Sequence, residues 1–299
     1  MLLVSTALEL GLISALTVLA LYLSYTMLDI CDLSTDGCFT LGAAVGAIVA
    51  ISGHPFLSII AAMGAGVLSG FITAFLQTKL GVNSLLAGII VNTGLYSINI
   101  AVMHNTSLLN MNNTDTIFTK FKSLLENTFL AGSYKLVVAI IFVALVVILL
   151  TLFLKTRMGL AIRATGNNPD MVRSSSINTT VIIIIGLCIS NAITALSGCL
   201  LAQYNKSVNI DIGTGMVTIA LASLLIGYLF FKKRGVGLRA VGVVIGAIIF
   251  RAVYTLALQI NMPAHMLKLI SSIIVVIAIA GPYLYEKFMA SARRRREMR

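Results

Sequence analysis

The sequence predicts an all-α integral membrane protein, a polytopic bundle of about 8–10 transmembrane helices. Three observations predict it. Of the 299 residues, 59% are hydrophobic and 10% are charged, against about 45–50% and about 25% in soluble globular chains. The mean hydropathy is +1.02. The few charges are bunched between apolar runs of the length that crosses a bilayer, about 20 residues. A water-soluble enzyme is excluded, because such a chain has too few polar residues to cover its surface.

In chain order, spans are expected near residues 3–28, 39–53, 55–78, 84–103, 134–154, 180–202, 215–231, 236–258 and 264–284. The first has the apolar core of a signal peptide. It lacks a basic start and contains Glu9, so it reads as a retained span. The second is short for a full crossing. An Asn-rich loop at 104–133, a basic loop at 155–179 and a basic tail at 286–299 complete a single transmembrane domain over 1–299.

The 21 Lys and Arg outnumber the 10 Asp and Glu, which in a soluble protein points to nucleic acid. Position decides otherwise. If the spans alternate, all but six of the basic residues (Lys120, Lys122, Lys135, Lys206, Arg251 and Lys268) fall on one side. The positive-inside rule then predicts N-out, C-in, with 155–179 and the tail cytoplasmic and 104–133 external. The run Arg293 to Arg296 is read as touching anionic lipid or simply fixing orientation, and no nucleic-acid partner is expected.

No phosphate-binding G-x-x-x-x-G-K-[ST], H-E-x-x-H, G-x-S-x-G or dinucleotide fingerprint occurs, so no catalytic residue is expected and the chain is not read as an enzyme. His54, His104 and His265 fall at span ends. Cys31, Cys38, Cys188 and Cys199 lack metal-ligand spacing, so no metal is expected either. Energy for uphill transport must therefore come from a partner or an ion gradient.

Polar residues inside apolar spans are costly and mark pathways or structural pairs. The candidates for a translocation pathway are Asp32, Ser34, Asp36, Asn92, Asn191 and Arg251. The two aspartates either meet a substrate ammonium or line a hydrated cavity, or, in a structural role, cap the broken helix or pair with Arg251. The segment Asp29 to Gly37 around them reads in two ways from spacing alone: an ordinary turn, or a break within the membrane of the kind that lines a cavity. Gly42 and Gly46, Gly66 and Gly70, and Gly242 and Gly246 are spaced for close helix packing, in the bundle or in a dimer.

The basic loop carries its own helix start. Asn168 is a good N-cap, Pro169 suits the first helical position, and Asp170 suits the positive end of the helix dipole. The short helix that follows carries Met171, Val172 and Arg173, with Ile177 beyond. It either lies on the bilayer or presents an apolar side to a cytoplasmic protein.

The residues Gly159, Arg163-Ala164, Gly166, Asn168 and Pro169 resemble the coupling helix of importer permeases powered by ATP-binding cassettes, of the branched-chain amino acid and ribose type. Asp32-Leu33-Ser34-Thr35-Asp36-Gly37 followed by Thr40-Leu41-Gly42-Ala43 is similar to that family's element in a broken second helix. Leu85-Leu86-Ala87-Gly88-Ile89 and Leu267-Lys268-Leu269-Ile270 resemble the subgroup linked to aromatic amino acid uptake. The chain departs from the family at Gly227, which Tyr228 follows where a second glycine is often found.

The resemblance favours an intramembrane or membrane-edge element at Asp29 to Gly37. It implies a multi-pass permease of the bacterial cytoplasmic membrane that moves a small polar solute, an amino acid, aromatic in the subgroup. It further implies a dimer, an ATPase subunit docked on Gly166, Asn167, Asn168, Pro169, Asp170, Met171, Val172 and Arg173, and an external binding protein that delivers the solute. ATP and magnesium belong to the partner, and this chain binds no cofactor. The alternative is a secondary transporter driven by an ion gradient through Asp32, Asp36 and Arg251. Against it stands the lack of a clear inverted repeat in the sequence.

Overall fold

The computed structural model describes residues 2–125, 133–231 and 235–259, together with 269, 272, 273, 276 and 280. Apart from those five residues the ninth expected span lies outside these, as do His265, Lys268, the basic tail, Lys232, Lys233 and Arg234. Among the described residues six helices are long and apolar enough to cross a membrane, and two shorter apolar helices accompany them. The protein is an all-α, multi-pass membrane protein.

Helix α1 (Leu2–Leu21) runs into a π-helical turn, Tyr22–Met27. There the Leu28 N–H reaches five residues back to the Leu23 carbonyl at 3.2 Å. The chain then reverses through Asp29, at φ 56°, and becomes helical again only at α2 (Thr35–Ile51). At 1.5 Å per residue α2 is about 25 Å long, too short to cross. Helices α3 (Pro55–Thr78) and α4 (Ser84–Val102) are full spans.

The expected external loop is partly ordered by a strand β1 (Leu108–Asn110) and a helix α5 (Ile117–Leu125). Next come the span α6 (Tyr134–Lys155), then α7 (Arg157–Asn167) and α8 (Pro169–Ser174) in the basic loop, then the span α9 (Thr179–Asn205). Strand β2 (Ser207–Asn209) pairs antiparallel with β1. Helix α10 (Met216–Phe231) is the second short one, and α11 (Val236–Gln259) is again a span. Of these, β1, β2, α5 and α7 were not foreseen. The strands are three residues each, too short for a period-2 pattern to register.

Packing fixes direction. Ser190 and Ser197 of α9 donate to the carbonyls of Ala20 and Ile13 on α1 at 2.8 and 2.7 Å, so α1 and α9 are antiparallel. Gly66 and Gly70 of α3 abut Asn191 and Leu187, antiparallel to α9, whereas Gly42 and Gly46 of α2 abut Ala195 and Cys199, parallel to it. The three spaced glycine pairs thus serve helix contacts within one chain. Gly198 shows why the residue type matters: a Cβ there would collide with the Phe39 carbonyl. Gly227 lies inside α10 against Gly242 of α11.

A long span, a non-helical stretch, a short helix and another long span follow one another twice. They are α1, 28–34, α2 and α3, and then α9, 206–215, α10 and α11 with opposite direction. This is an inverted repeat, which the sequence reading had missed. Helices α1 and α9 form its axis, each with 67% of its most apolar window buried, against 28% for α4 and α6. One pole of the bundle carries Lys79, Lys155 and the loop with α7 and α8, and is called here the basic face.

Candidate functional site

The two short helices start where the two non-helical stretches meet in the middle of the bundle. Asn191 is the thirteenth of the 27 residues of α9, so its depth is near mid-membrane. Its side-chain N–H donates to Asp32 Oδ2 at 2.7 Å. Asp32 Oδ1 accepts from the Ser34 N–H at 2.9 Å and the Ser34 hydroxyl at 2.6 Å. The Thr73 hydroxyl of α3 donates to Ser34 Oγ at 3.2 Å. All four side chains are buried, at 1% exposure or less. The expected element at 29–37 is therefore a break before α2, buried in the bundle at Asp32 and Ser34 and closed there by hydrogen bonds from α3 and α9.

Asp36, one helical turn on, has a different task. Its carboxylate accepts from the Gly215 N–H at 2.9 Å and the Val217 N–H at 2.8 Å. It caps the start of α10, where the unpaired N–H groups and the helix dipole favour a negative charge. Thr40 Oγ1 accepts from the Gly213 N–H at 3.2 Å. The side chain at the start of one short helix thus pins the start of the other. Asn99 of α4 donates to the Gly37 carbonyl at 3.1 Å.

Beside Asp36 lies a cavity of about 390 Å³, lined among others by Thr40, Asn92, Tyr96, Asp211 and Thr214. It falls within the ~300–1,000 Å³ range of small-molecule sites. Its wall offers two carboxylates, amides, hydroxyls and an aromatic ring. That set can take an ammonium group, a hydroxyl or a ring. Among the described residues no cluster of His, Cys, Asp or Glu is arranged for a metal ion.

The six pathway candidates separate. Asp32, Ser34 and Asn191 form the closed network, and Asp36 and Asn92 share the cavity. Arg251 stands apart. It lines a separate cavity of about 40 Å³ with Ser14 and Phe39, its guanidinium 5.1 Å from the Tyr254 ring centroid. Of the structural alternatives for the aspartates, capping rather than pairing with Arg251 is found: Asp36 accepts from the start of α10, and Asp32 bonds Ser34 and Asn191. Tyr96, Asp211 and Thr214 were missed, since nothing local in the sequence joins 96 to 211.

On the basic face, Asn168 Oδ1 accepts from the Asp170 and Met171 N–H groups at 3.1 and 3.0 Å, as its N-cap spacing predicts. Val172 turns inward at 1% exposure while Met171 is 56% exposed. Arg173 lies 3.6 Å from Asp170 in an exposed pair and donates from Nε to Thr179 Oγ1 at 3.2 Å. Such an exposed pair contributes about 0–1 kcal/mol. Gly166 faces inward, where a Cβ would meet the Met27 carbonyl. It seats α7 against the end of α1.

Comparison with known proteins agrees with this architecture. The description of the permease component of branched-chain amino acid transport systems matches residues 3–279. A tyrosine transport system permease protein of Clostridioides difficile is 33% identical over 271 residues, 90% of this chain and 88% of that protein. An uncharacterised protein of Rickettsia prowazekii is 32% identical over 92% of this chain and 96% of its own length. A galactose/methyl galactoside import permease of Escherichia coli is 28% identical over 74% of this chain and 64% of its own length. No solved structure matches the chain. The chain belongs to the family of permease components of ATP-binding-cassette transport systems typified by branched-chain amino acid transport.

Proposed function

We propose that this permease carries an amino acid, with aromatic amino acids the first to test, inward across a bacterial cytoplasmic membrane. The observation that carries the proposal is the cavity at the meeting point of two helix breaks, with the Asp36 carboxylate, Asn92 and Tyr96 on its wall. Irregular backbone at membrane depth is tolerated where it lines such a cavity, and helix breaks of this kind mark binding sites in transporters. The carboxylates suit an ammonium and the ring an aromatic side chain. The name of the tyrosine transport relative points the same way.

In this reading the basic face is cytoplasmic, with the N-terminus outside. An ATPase subunit docks on Asn167 to Arg173, with Met171 as an apolar contact, and a binding protein delivers solute to the opposite pole. A second copy of the chain covers the cavity side of α4. Thr93, Tyr96 and Ser97 are exposed there on a membrane span, and polar groups facing hydrocarbon are costly.

The test is purification from the host membrane in mild detergent, followed by ATPase assay with the binding protein. A stoichiometric partner with a phosphate-binding loop, stimulated by tyrosine, phenylalanine or tryptophan and silenced by replacing Asn168 or Pro169 while the complex still assembles, is the expected result. A protein that purifies alone and takes up solute only under an ion gradient overturns the proposal.

A further inference from the structure

A π-helical turn is rare and recurs at functional positions, and the one at Tyr22–Met27 ends the first span. Its backbone bonds reach far back. The Leu28 N–H bonds the Leu23 carbonyl five residues before it at 3.2 Å, and the Ile30 N–H bonds that of Ser24, six before it, at 2.9 Å. Asp29 follows at φ 56°, a left-handed conformation that costs a residue with a side chain. The Thr26 hydroxyl oxygen is shut off from solvent without a hydrogen-bond partner. An α-turn offers that hydroxyl the Tyr22 carbonyl four residues back, the bond that Thr73 and Thr194 make in their helices.

The turn meets its neighbours at two glycines. Gly166, in the last turn of α7, abuts the Met27 carbonyl, and Gly186 of α9 abuts the Leu28 side chain. Asn168, two residues past Gly166, is at once the C-cap of α7 and the N-cap of α8. Its N–H bonds the Ala164 carbonyl at 2.9 Å while its Oδ1 accepts from Asp170 and Met171. One residue joins the two helices without slack, so a displacement of α8 reaches the π-turn through Gly166.

On the far side of the turn, five residues past Met27, Asp32 holds the first break closed through Asn191. A turn closed by i→i+5 bonds contains one residue more than an α-turn. Changing one into the other moves the residues that follow by one helical position, about 1.5 Å along the axis and about 100° around it. That is enough to part the 2.7 Å bond from Asn191 to Asp32. We propose that Gly166 and the Tyr22–Met27 turn are positioning elements of transport: displacement of α8 presses Gly166 on the Met27 carbonyl, the π-turn tightens to an α-turn, and Asp32 leaves Asn191, which opens the first break. This rests on the reading of the chain as an ATP-driven permease.

The experiment is hydrogen–deuterium exchange on the assembled complex with its ATPase, without nucleotide and with nucleotide trapped by vanadate. Amides of residues 23–30 are expected to change their exchange rate about tenfold between the two states, while those of 8–20 in the same span hold. Deletion of Tyr25, an exposed residue of the turn, removes the extra residue and fixes the α-turn. The exchange difference should vanish and tyrosine uptake per ATP should fall about tenfold, with the thermal unfolding midpoint unchanged. A π-turn with a structural role alone would lower the midpoint on that deletion and leave the exchange difference in place.

Should the deletion fail to assemble, Thr26→Val keeps the side-chain shape and removes the bond open only to the α-turn, so the exchange difference should shrink about fivefold, the worth of one hydrogen bond. Gly64→Ala, at a glycine with nothing within 4 Å, is the control and should change nothing. A complex that hydrolyses ATP with residues 23–30 alike in both states, or equal effects of Thr26→Val and Gly64→Ala, overturns this inference and leaves the permease reading standing. A chain that purifies without an ATPase overturns both.

Discussion

The break before α2 and the break before α10 occupy matching places in an inverted repeat, yet one is closed and the other open. Residues 28–34 are fastened by Asn191 from α9 and Thr73 from α3, and their key carboxylate is 1% exposed. Residues 206–215 are fastened at one end by the Asp36 carboxylate and border a cavity of about 390 Å³. Both stretches have backbone groups that a helix would have satisfied. In the first, local bonds such as Ser34 N–H to Asp32 Oδ1 take up backbone groups, and side chains from neighbouring spans lock the Asp32 and Ser34 side chains that make them. In the second they leave room for a solute, so the same device serves as a joint on one side and a lining on the other.

The comparison is broken most severely at Asp32. Asp32→Ala leaves the Ser34 N–H and hydroxyl without their acceptor in a buried site and takes from the Asn191 amide one of its two acceptors, the Leu187 carbonyl remaining. Each such orphan costs about 1–3 kcal/mol, so loss of folded protein from the membrane is expected, measured as the monodisperse fraction after detergent extraction. Wild-type yield from Asp32→Ala would mean that the first break is as open as the second. Next in size is Asn191→Ala, which leaves only Asp32 Oδ2 without a donor and should lower stability by about 1–3 kcal/mol. Thermal unfolding in detergent reads it, and an unchanged midpoint would remove α9 from the joint.

Much of the fold was legible because bilayer thickness sets helix length, and apolar runs of that length stand out in a chain with 10% charge. The eight membrane helices described lie within a few residues of their expected ranges. The cap at Asn168 was legible because a helix start is a local event. The inverted repeat was not, since its halves share geometry and little sequence. One trace survives: Asp32-Leu33-Ser34-Thr35 runs into the start of the first short helix and Asp211-Ile212-Gly213-Thr214 stands just before the second. The cavity was half legible, through Asp36 and Asn92, because mid-span polar residues draw attention. Asp211 did not, because it lies in a loop by sequence and reaches the site only by packing.

Asp36→Asn sharpens the contrast with Asp32. The amide oxygen still accepts from one of the two N–H groups at the start of α10, so the stability loss should be about 1 kcal/mol, the scale of a helix cap. Solute uptake by the assembled transporter should fall by much more, about tenfold, if the charge meets an ammonium, since a tenfold change corresponds to about 1.4 kcal/mol. Uptake and unfolding midpoint measured on one preparation separate the two effects. A parallel loss of both would make Asp36 a structural residue like Asp32.

The smallest expected effect on the fold, and the finest test of the open break, is at Asn92. Its side chain is half-buried on the cavity wall, so Asn92→Ala should change stability by no more than about 0.5 kcal/mol. Its weight falls on selectivity. A cavity amide that hydrogen-bonds a solute discriminates against solutes lacking the partner group, so the preference among amino acids should shift while the maximal ATPase rate holds. Gly37→Ala provides an independent check, because a Cβ there would stand 2.6 Å from Asn92 Oδ1 and displace the amide without removing it. If both variants shift the preference in the same direction, the position of that amide tunes the cavity. If neither does, the polar wall is only a hydrated lining and selectivity lies upstream, with the protein that delivers the solute.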